Sequence, residues 1–592
     1  MSELVGASAD PATPPGSEGG VVGGPGGGGY GLTESMRRAT AWMALGTALS
    51  RLSGVGRILA LAYALGLTHL ADSYNLANTA PNMLYDIVLG GVLSATFIPV
   101  FVDRLTKRSE REAWRAISSV VTVSVVLLVT ATVALWFCAP AIIDALTVLG
   151  HGHLLPATLE SERAVATTLL RWFVPQVAFY GLISLATALL NTQRRFIAPM
   201  WVPIANNVVC IAVLLWFHTV TERPSLVGAQ LHPNQLVLLG LGTTLGVAVQ
   251  ALLLLPSLGR AHLRLRWRFD PLHEAVRTVF RLGAWTFGFV VSNQVALFVV
   301  LALAVSTGGR APVSSYTYAY TFFQMPYAVV AVSVMSAVTP DLAERWSTGD
   351  QGAFRRRLAG GLRAVLGIIL PAAMGMLLLA KPTVALLLGH GASSAASTST
   401  TGSALALFSL GLPGFCTFLY VVRVLQAMQR TRVAFWLYLV ENGLNVALAV
   451  ALVHPLGVRG LALSLSIAYS VAALVGLAVL RHWLGRLGSP RVWAPLRRVA
   501  VATLVMGAVV LVVSNISGAT HGPALLARVV GSIVVGVVVF AATIGFLGHR
   551  AERRPPPSSG RRGDPPRGPV PGGRAERRSV ERRPRRTPVG PA

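Results

Sequence analysis

Apolar runs, broken by Gly, Pro and clusters of Arg, fill most of the chain between residues 40 and 547. A helix crossing the hydrocarbon layer needs about 20 apolar residues. Runs of that length lie at 40–66, 73–102, 115–138, 165–192, 197–217, 235–257 and 279–305, then at 312–341, 361–388, 403–427, 433–453, 458–482, 494–514 and 524–547. The pattern predicts an all-α polytopic membrane protein of about 14 transmembrane helices, spans 1 to 14.

The connections test that count, because Lys and Arg concentrate in short cytoplasmic loops. Arg37 and Arg38 precede span 1, and every second connection is basic: Arg104, Lys107, Arg108 and Arg111; Arg194 and Arg195; Arg260, Arg264, Arg266 and Arg268; Arg355, Arg356 and Arg357; Arg430 and Arg432; Arg481, Arg486 and Arg491. The intervening connections carry almost none. The alternation predicts an even number of spans with both termini cytoplasmic.

Polar positions inside the runs repeat. Span 2 begins Ser73-Tyr74-Asn75-Leu76-Ala77-Asn78-Thr79 and span 8 begins Ser315-Tyr316-Thr317-Tyr318-Ala319-Tyr320-Thr321, matching at four of seven positions with an offset of 242. The same offset carries Ser94-Ala95 onto Ser336-Ala337, and an offset of 236 pairs Gln193-Arg194 with Gln429-Arg430 and Asn206 with Asn442. Apolar bias alone would not supply polar matches at equivalent places. The chain reads as two six-helix lobes, 37–270 (spans 1–6) and 271–486 (spans 7–12), followed by spans 13–14 at 487–548. An even number of spans per lobe makes this a parallel repeat, as in transporters whose halves rock about a central site.

Asn75, Asn78, Asn82 and Asp86 recur every three or four residues, so they form one stripe along span 2. Facing lipid they would be unsatisfied, so the stripe is expected to face the bundle interior. Thr317, Tyr320, Thr321 and Gln324 are the corresponding positions of span 8. In span 1, Arg51 and Arg57 stand six residues apart, about 120° around an ideal helix and about 9 Å along it. Gly54 and Gly56 between them allow a bend that would turn both toward one cavity. An arginine at mid-membrane costs at least about 2.5 kcal/mol, so two demand partners or a function. An anionic substrate would supply one, since guanidinium forks grip phosphate bidentately. Pairing of Arg51 with Asp86 or Asp72, and snorkelling of Arg57, is the structural alternative.

Glu441, Asn442 and Asn445 of span 11, with Asn293 of span 7, offer a cation or a proton a coupling site. The preferred reading is a satisfied interhelical hydrogen-bond cluster, because one carboxylate binds a hard cation weakly. His151 and His153 lack the further ligands of a metal site.

Composition agrees with the pattern. The 592 residues are 53% hydrophobic and 12% charged, with a mean hydropathy of +0.61. The net charge of +27 sits mainly in loops and tail, which argues for topology and membrane lipids rather than nucleic acid. From His549 the tail carries 13 Arg against four acidic residues and is expected to be disordered and cytoplasmic, as is the Gly- and Pro-rich segment 1–36, which lacks the features of a signal peptide. Cys138, Cys210 and Cys416 stand singly in apolar runs. No cofactor site, metal spacing, P-loop or catalytic constellation appears in the sequence, so the chain reads as a non-enzyme without its own ATP drive.

Ser50-Arg51, Gly54 and Arg57 in span 1, Asp72 before span 2, Pro81-Asn82 within it, SATFIP at Ser94–Pro99 and LLNTQRRF before span 5 resemble the MurJ/MviN family of lipid II flippases, within the multidrug/oligosaccharidyl-lipid/polysaccharide exporter superfamily. The resemblance covers roughly 38–548 and implies alternating access that moves undecaprenyl-diphosphate-linked muropeptide from inner to outer leaflet of the bacterial cytoplasmic membrane, for peptidoglycan synthesis. It implies cavity roles for Arg51 and Arg57 and a functional role for Asp72; the polar stripes of spans 2 and 8 add Asn78, Asn82, Asp86, Thr321 and Gln324 as residues expected to line the path. Two positions depart from the family, whose arginines of spans 2 and 8 fall at Tyr85 and Thr321 here. The alternatives are a cation-coupled exporter of drugs or of another polyprenyl-linked glycan, drawing on Asp86, Tyr316, Tyr318 and Tyr320, or a non-transporting scaffold that meets cell-wall synthesis proteins through the tail.

Overall fold

The computed structural model describes residues 34–90, 101, 109–150, 155–193, 195–221, 224–261, 265–309, 311–390, 393–485 and 490–552. The Ser94–Pro99 segment, the connection at Arg104, Lys107 and Arg108, the His151/His153 loop and most of both termini lie outside the described residues. Helix α1 spans Glu34–Leu65, α2 His69–Tyr85, α3 Glu110–Thr147, α4 Pro156–Phe173, α5 Gln176–Thr192, α6 Ile197–Val220, α7 Leu226–Leu231 and α8 Pro233–Gly259. They are followed by α9 Glu274–Ser306, α10 Pro312–Pro326, α11 Val332–Ser347, α12 Gln351–Leu388, α13 Ala395–Ala427, α14 Thr431–Leu456, α15 Val458–Leu484, α16 Pro490–Ser517 and α17 Gly522–Glu552. No strand occurs among the described residues.

Among the described residues, thirteen helical stretches are long and apolar enough to cross a membrane. Each coincides with one of the spans read from hydropathy. The remaining span, 73–102, is described only through α2 and the π-helical turn Asp86–Gly90. Helix starts and ends differ slightly from the sequence reading, with α1 beginning at Glu34 and α17 running to Glu552. Residues to Ile544 form one unit, and the last turns of α17 belong to a second, which is taken by itself.

The offset of the sequence matches has a counterpart in the backbone of two segments. Helix α2 gives way to its π turn at Asp86, and α10 gives way to another, Tyr327–Ala331, 241 residues on. Pro81 and Pro326 lie inside the helices just before these turns. Proline removes an N–H and crowds the preceding turn, so the regular ladder is broken in both segments.

Apolar rings hold the later spans together. Phe408, Phe415 and Phe418 of α13 meet Tyr316, Tyr320 and Phe323 of α10 and Tyr469 of α15. Large apolar side chains such as Phe137, Val329 and Leu474 are exposed, as expected of surfaces that face acyl chains. Between helices, small residues let backbones approach, because apolar burial gives little drive in lipid and close packing must replace it. Gly54 and Gly56 lie within the uninterrupted helix α1, facing Asn207 and Ile211 of α6 at distances where an added Cβ would make ordinary van der Waals contact, and the Asn207 amide donates to Ser53 Oγ at 3.0 Å and to the Ser50 carbonyl at 3.4 Å.

Gly414 of α13 shows a close approach. A Cβ there would stand 2.7 Å from the Ser470 Cα of α15, whereas one at Gly443 of α14 would meet nothing within 4 Å. Overpacking costs about 1–3 kcal/mol, so Gly414→Ala is expected to lower the thermal unfolding midpoint of the detergent-purified protein and Gly443→Ala to leave it unchanged. Equal midpoints for both would contradict this packing.

Candidate functional site

The start of α10 has no cap of its own. Its N-cap residue is Ala311, in a left-handed conformation with φ of 56°, and it offers no side-chain oxygen. The first N–H groups of a helix have no intrahelical partner and carry the positive end of the helix dipole. Asp72 of α2 supplies what is missing: its Oδ1 accepts the Ser314 N–H at 2.7 Å and its Oδ2 the Val313 N–H at 3.2 Å. Asn75, one turn further along α2, donates to Ser314 Oγ at 2.9 Å. Asp72 and Ser314 are 242 residues apart, the offset of the sequence repeat. In a two-fold arrangement, equivalent positions near the axis face one another.

Further groups surround this junction. His69 Nδ1 pairs with Glu162 of α4, the Ser73 hydroxyl donates to the Glu162 carbonyl at 3.4 Å, and His69, Asp72 and Glu162 face Pro312 and Val313 across a narrow crevice. Thr68 caps α2 itself by accepting the Ala71 N–H at 3.4 Å.

A larger cavity, of about 590 Å³ of space not filled by protein, lies further along the same helices. Helix α2 contributes Thr79, Asn82 and Met83, with Asp86 just beyond its end; α9 contributes Asn293 and Gln294; α10 contributes Tyr316 and Tyr320; α14 contributes Glu441, Asn442 and Asn445; and α15 contributes Tyr469. The lining contains no Arg or Lys among the described residues. Gln294 donates to Asp86 Oδ2 at 3.0 Å, the Ser464 hydroxyl to Asn445 Oδ1 at 3.0 Å, and the Asn442 amide to the Tyr438 carbonyl at 2.9 Å. Of the interhelical cluster expected for span 11, Asn445 makes a bond between helices, whereas Asn442 bonds within its own helix. Glu441 differs: it is 1% exposed, and among the described residues neither carboxyl oxygen receives a hydrogen bond.

The remaining expected site residues lie elsewhere. Arg51 and Arg57 are half-buried in α1, outside both cavity linings. Arg57 interacts with the Tyr74 hydroxyl, which donates to Thr243 Oγ1 at 2.8 Å, so it points into the bundle of spans 1, 2 and 6. Asn78 accepts the Asn82 amide through its carbonyl at 2.8 Å, the Thr321 hydroxyl donates to the Thr317 carbonyl at 2.8 Å, and Gln324 is buried. Tyr85 turns toward span 4, where its hydroxyl donates to Ser184 at 3.2 Å and its ring meets Tyr180. Sequence reasoning missed His69, Glu162, Gln294 and Tyr469. Their signal was positional: Glu162 and His69 flank the same connection-side ends of neighbouring spans.

Helices from both sides of the repeat meet at a capped junction and share a polar cavity behind it, which defines a polytopic carrier-type membrane bundle. The comparisons then give the family. A family model described as "Lipid II flippase MurJ" matches residues 61–530, and the chain belongs to that family. The match begins beyond Arg51 and Arg57. Among similar proteins, a probable lipid II flippase MurJ of Rhizobium meliloti (strain 1021) is 28% identical over 466 residues, 78% of this chain and 84% of the relative. One of Rhizobium tropici is 26% identical over 540 residues, 86% of this chain and 96% of the relative. A solved structure described as lipid II flippase MurJ in an inward closed conformation aligns with a TM-score of 0.70 at 21% identity, over 86% of this chain and 99% of that one. An inward-facing multidrug resistance MATE family transporter of the MOP superfamily aligns with a TM-score of 0.61 at 17% identity, over 74% and 99%.

Removing the borrowed cap tests the junction. Asp72→Ala leaves two buried N–H groups without their acceptor, at about 1–3 kcal/mol each, and is expected to lower the unfolding midpoint in detergent. Asp72→Asn, whose amide oxygen still accepts, is expected to fall between Ala and wild type. An unchanged midpoint in Asp72→Ala would contradict the assignment.

Proposed function

We propose that this protein moves lipid II, the undecaprenyl-diphosphate muropeptide, from the inner to the outer leaflet of the bacterial cytoplasmic membrane by alternating access, with both termini cytoplasmic. Family membership supports the substrate. The observation that carries the mechanism is the Asp72 cap on α10, which ties the lobes 37–270 and 271–486 together at one end while their facing polar helices hold a cavity behind it. By the alternation of basic connections, that end is the outer one, since spans 1 and 7 run outward before it.

In this mechanism the lobes part at the inner face, admit the diphosphate headgroup and leave the polyprenyl chain in lipid. Arg51 and Arg57 take the diphosphate, because guanidinium groups grip phosphate oxygens and a lipid-linked anion brings the charge that two intramembrane arginines require. Release outward then requires the Asp72 cap to break. Two hydrogen bonds from backbone N–H groups to one carboxyl, the shorter at 2.7 Å, help hold a closed state and can exchange for solvation. The helices 487–548 lie outside the lobes.

Arg51→Ala and Arg57→Ala are each expected to abolish outward movement of labelled lipid II in proteoliposomes while membrane expression stays at the wild-type level. Wild-type movement by both variants would overturn the diphosphate assignment. Depletion in the native cell should accumulate lipid II on the cytoplasmic leaflet, and accumulation of a different lipid-linked glycan there would reassign the substrate.

A further inference from the structure

The larger cavity has acceptors in excess of donors. Glu441 brings two carboxyl oxygens without a hydrogen bond among the described residues, and Asn82 Oδ1 and Gln294 Oε1 are in the same condition; all three residues are at least nine-tenths buried. Asp86 adds a second carboxylate, met by one amide donor from Gln294. An ionised carboxylate in a low-dielectric interior without enough donors is poorly solvated there.

We propose that Asp86 and Glu441 form a proton-binding site between the lobes, and that the lobes close over it only when it carries at least one proton. The proposal rests on the alternating-access reading and adds what the closed state must bind. The shortage is of donors, and each proton that moves from bulk water to a carboxylate removes a negative charge and turns an acceptor into an O–H donor. A hard metal ion fits less well. It takes about six or more converging oxygens, whereas Asn445 Oδ1 already accepts Ser464 and the free acceptors come from three separate elements, α2, α9 and α14.

The groups facing the site are named by helix. Tyr316 and Tyr320 of α10, Tyr438 of α14 and Tyr469 of α15 all interact electrostatically with Glu441. Arg423 of α13 acts on Tyr438, and Gln294 of α9 faces Asp86. Tyrosine hydroxyls can accept or donate as the carboxyls change state, so the site can stay bonded in its protonated form. When the lobes part, water reaches both carboxylates and the protons are free to leave.

Spin labels at Leu231→Cys and Gly309→Cys, both exposed, read the outer end in vesicles, in a background with Cys138, Cys210 and Cys416 replaced by alanine. In the otherwise wild-type protein, raising pH is expected to shift the distance distribution from closed to open, by up to about tenfold in the ratio per pH unit for each proton released. Glu441→Gln and Asp86→Asn, which keep side-chain volume, are each expected to flatten that response, and the double variant to stay closed at every pH. A wild-type distribution that ignores pH overturns the proposal, and so does one that follows sodium at fixed pH. No lipid substrate enters this readout, so a failed proton site and a failed substrate assignment are distinguishable.

Discussion

A helix start that cannot cap itself is the constraint on which the arrangement turns. Ala311 offers α10 no oxygen, and the N–H groups of Val313 and Ser314 are buried where lipid or apolar protein would leave them unsatisfied. Asp72 meets an equal difficulty, since a buried carboxylate needs donors. Each resolves the other, and because they stand 242 residues apart, satisfying local chemistry also fixes how α2 meets the start of α10. The cavity behind the junction, the facing of α2 toward α10 and the placement of Asp86 near α9 all follow from that register.

Much of this was legible in the chain. Hydropathy located the spans because the bilayer sets a length that the sequence must honour, and thirteen of them return as helices of spanning length and composition. The offset of 242 was visible in the serines and tyrosines of spans 2 and 8, and it is the separation of Asp72 from Ser314. The stripe on span 2 was half resolved: Asn82 and Asp86 line the cavity, whereas Asn75 serves the junction and Asn78 gives its carbonyl to Asn82. Helical spacing tells which side chains share a face but not the depth at which a neighbouring helix meets them.

Other features depend on packing between distant segments and left no local trace. Gly54 and Gly56 suggested a bend, and nothing in the sequence showed that they face Asn207 and Ile211 of α6. Glu162, which sequence reading did not single out, is buried beside His69. The arginines of span 1 are not among the residues that line the acidic cavity. In the proposed mechanism a diphosphate is matched by the guanidinium groups of α1 and a proton by Asp86 and Glu441, so an anionic headgroup and a proton use different groups.

The central claim is that the lobes must part at the Asp72 junction for lipid II to reach the outer leaflet. Cysteines at His69 and Gly309, which line one narrow crevice at that junction, can be joined by a reducible bifunctional thiol reagent and the protein assayed in proteoliposomes with labelled lipid II. The joined protein should stop delivering lipid II to the outer leaflet, and reduction should restore the rate of the unjoined double variant. Delivery by the joined protein at the unjoined rate would contradict the mechanism.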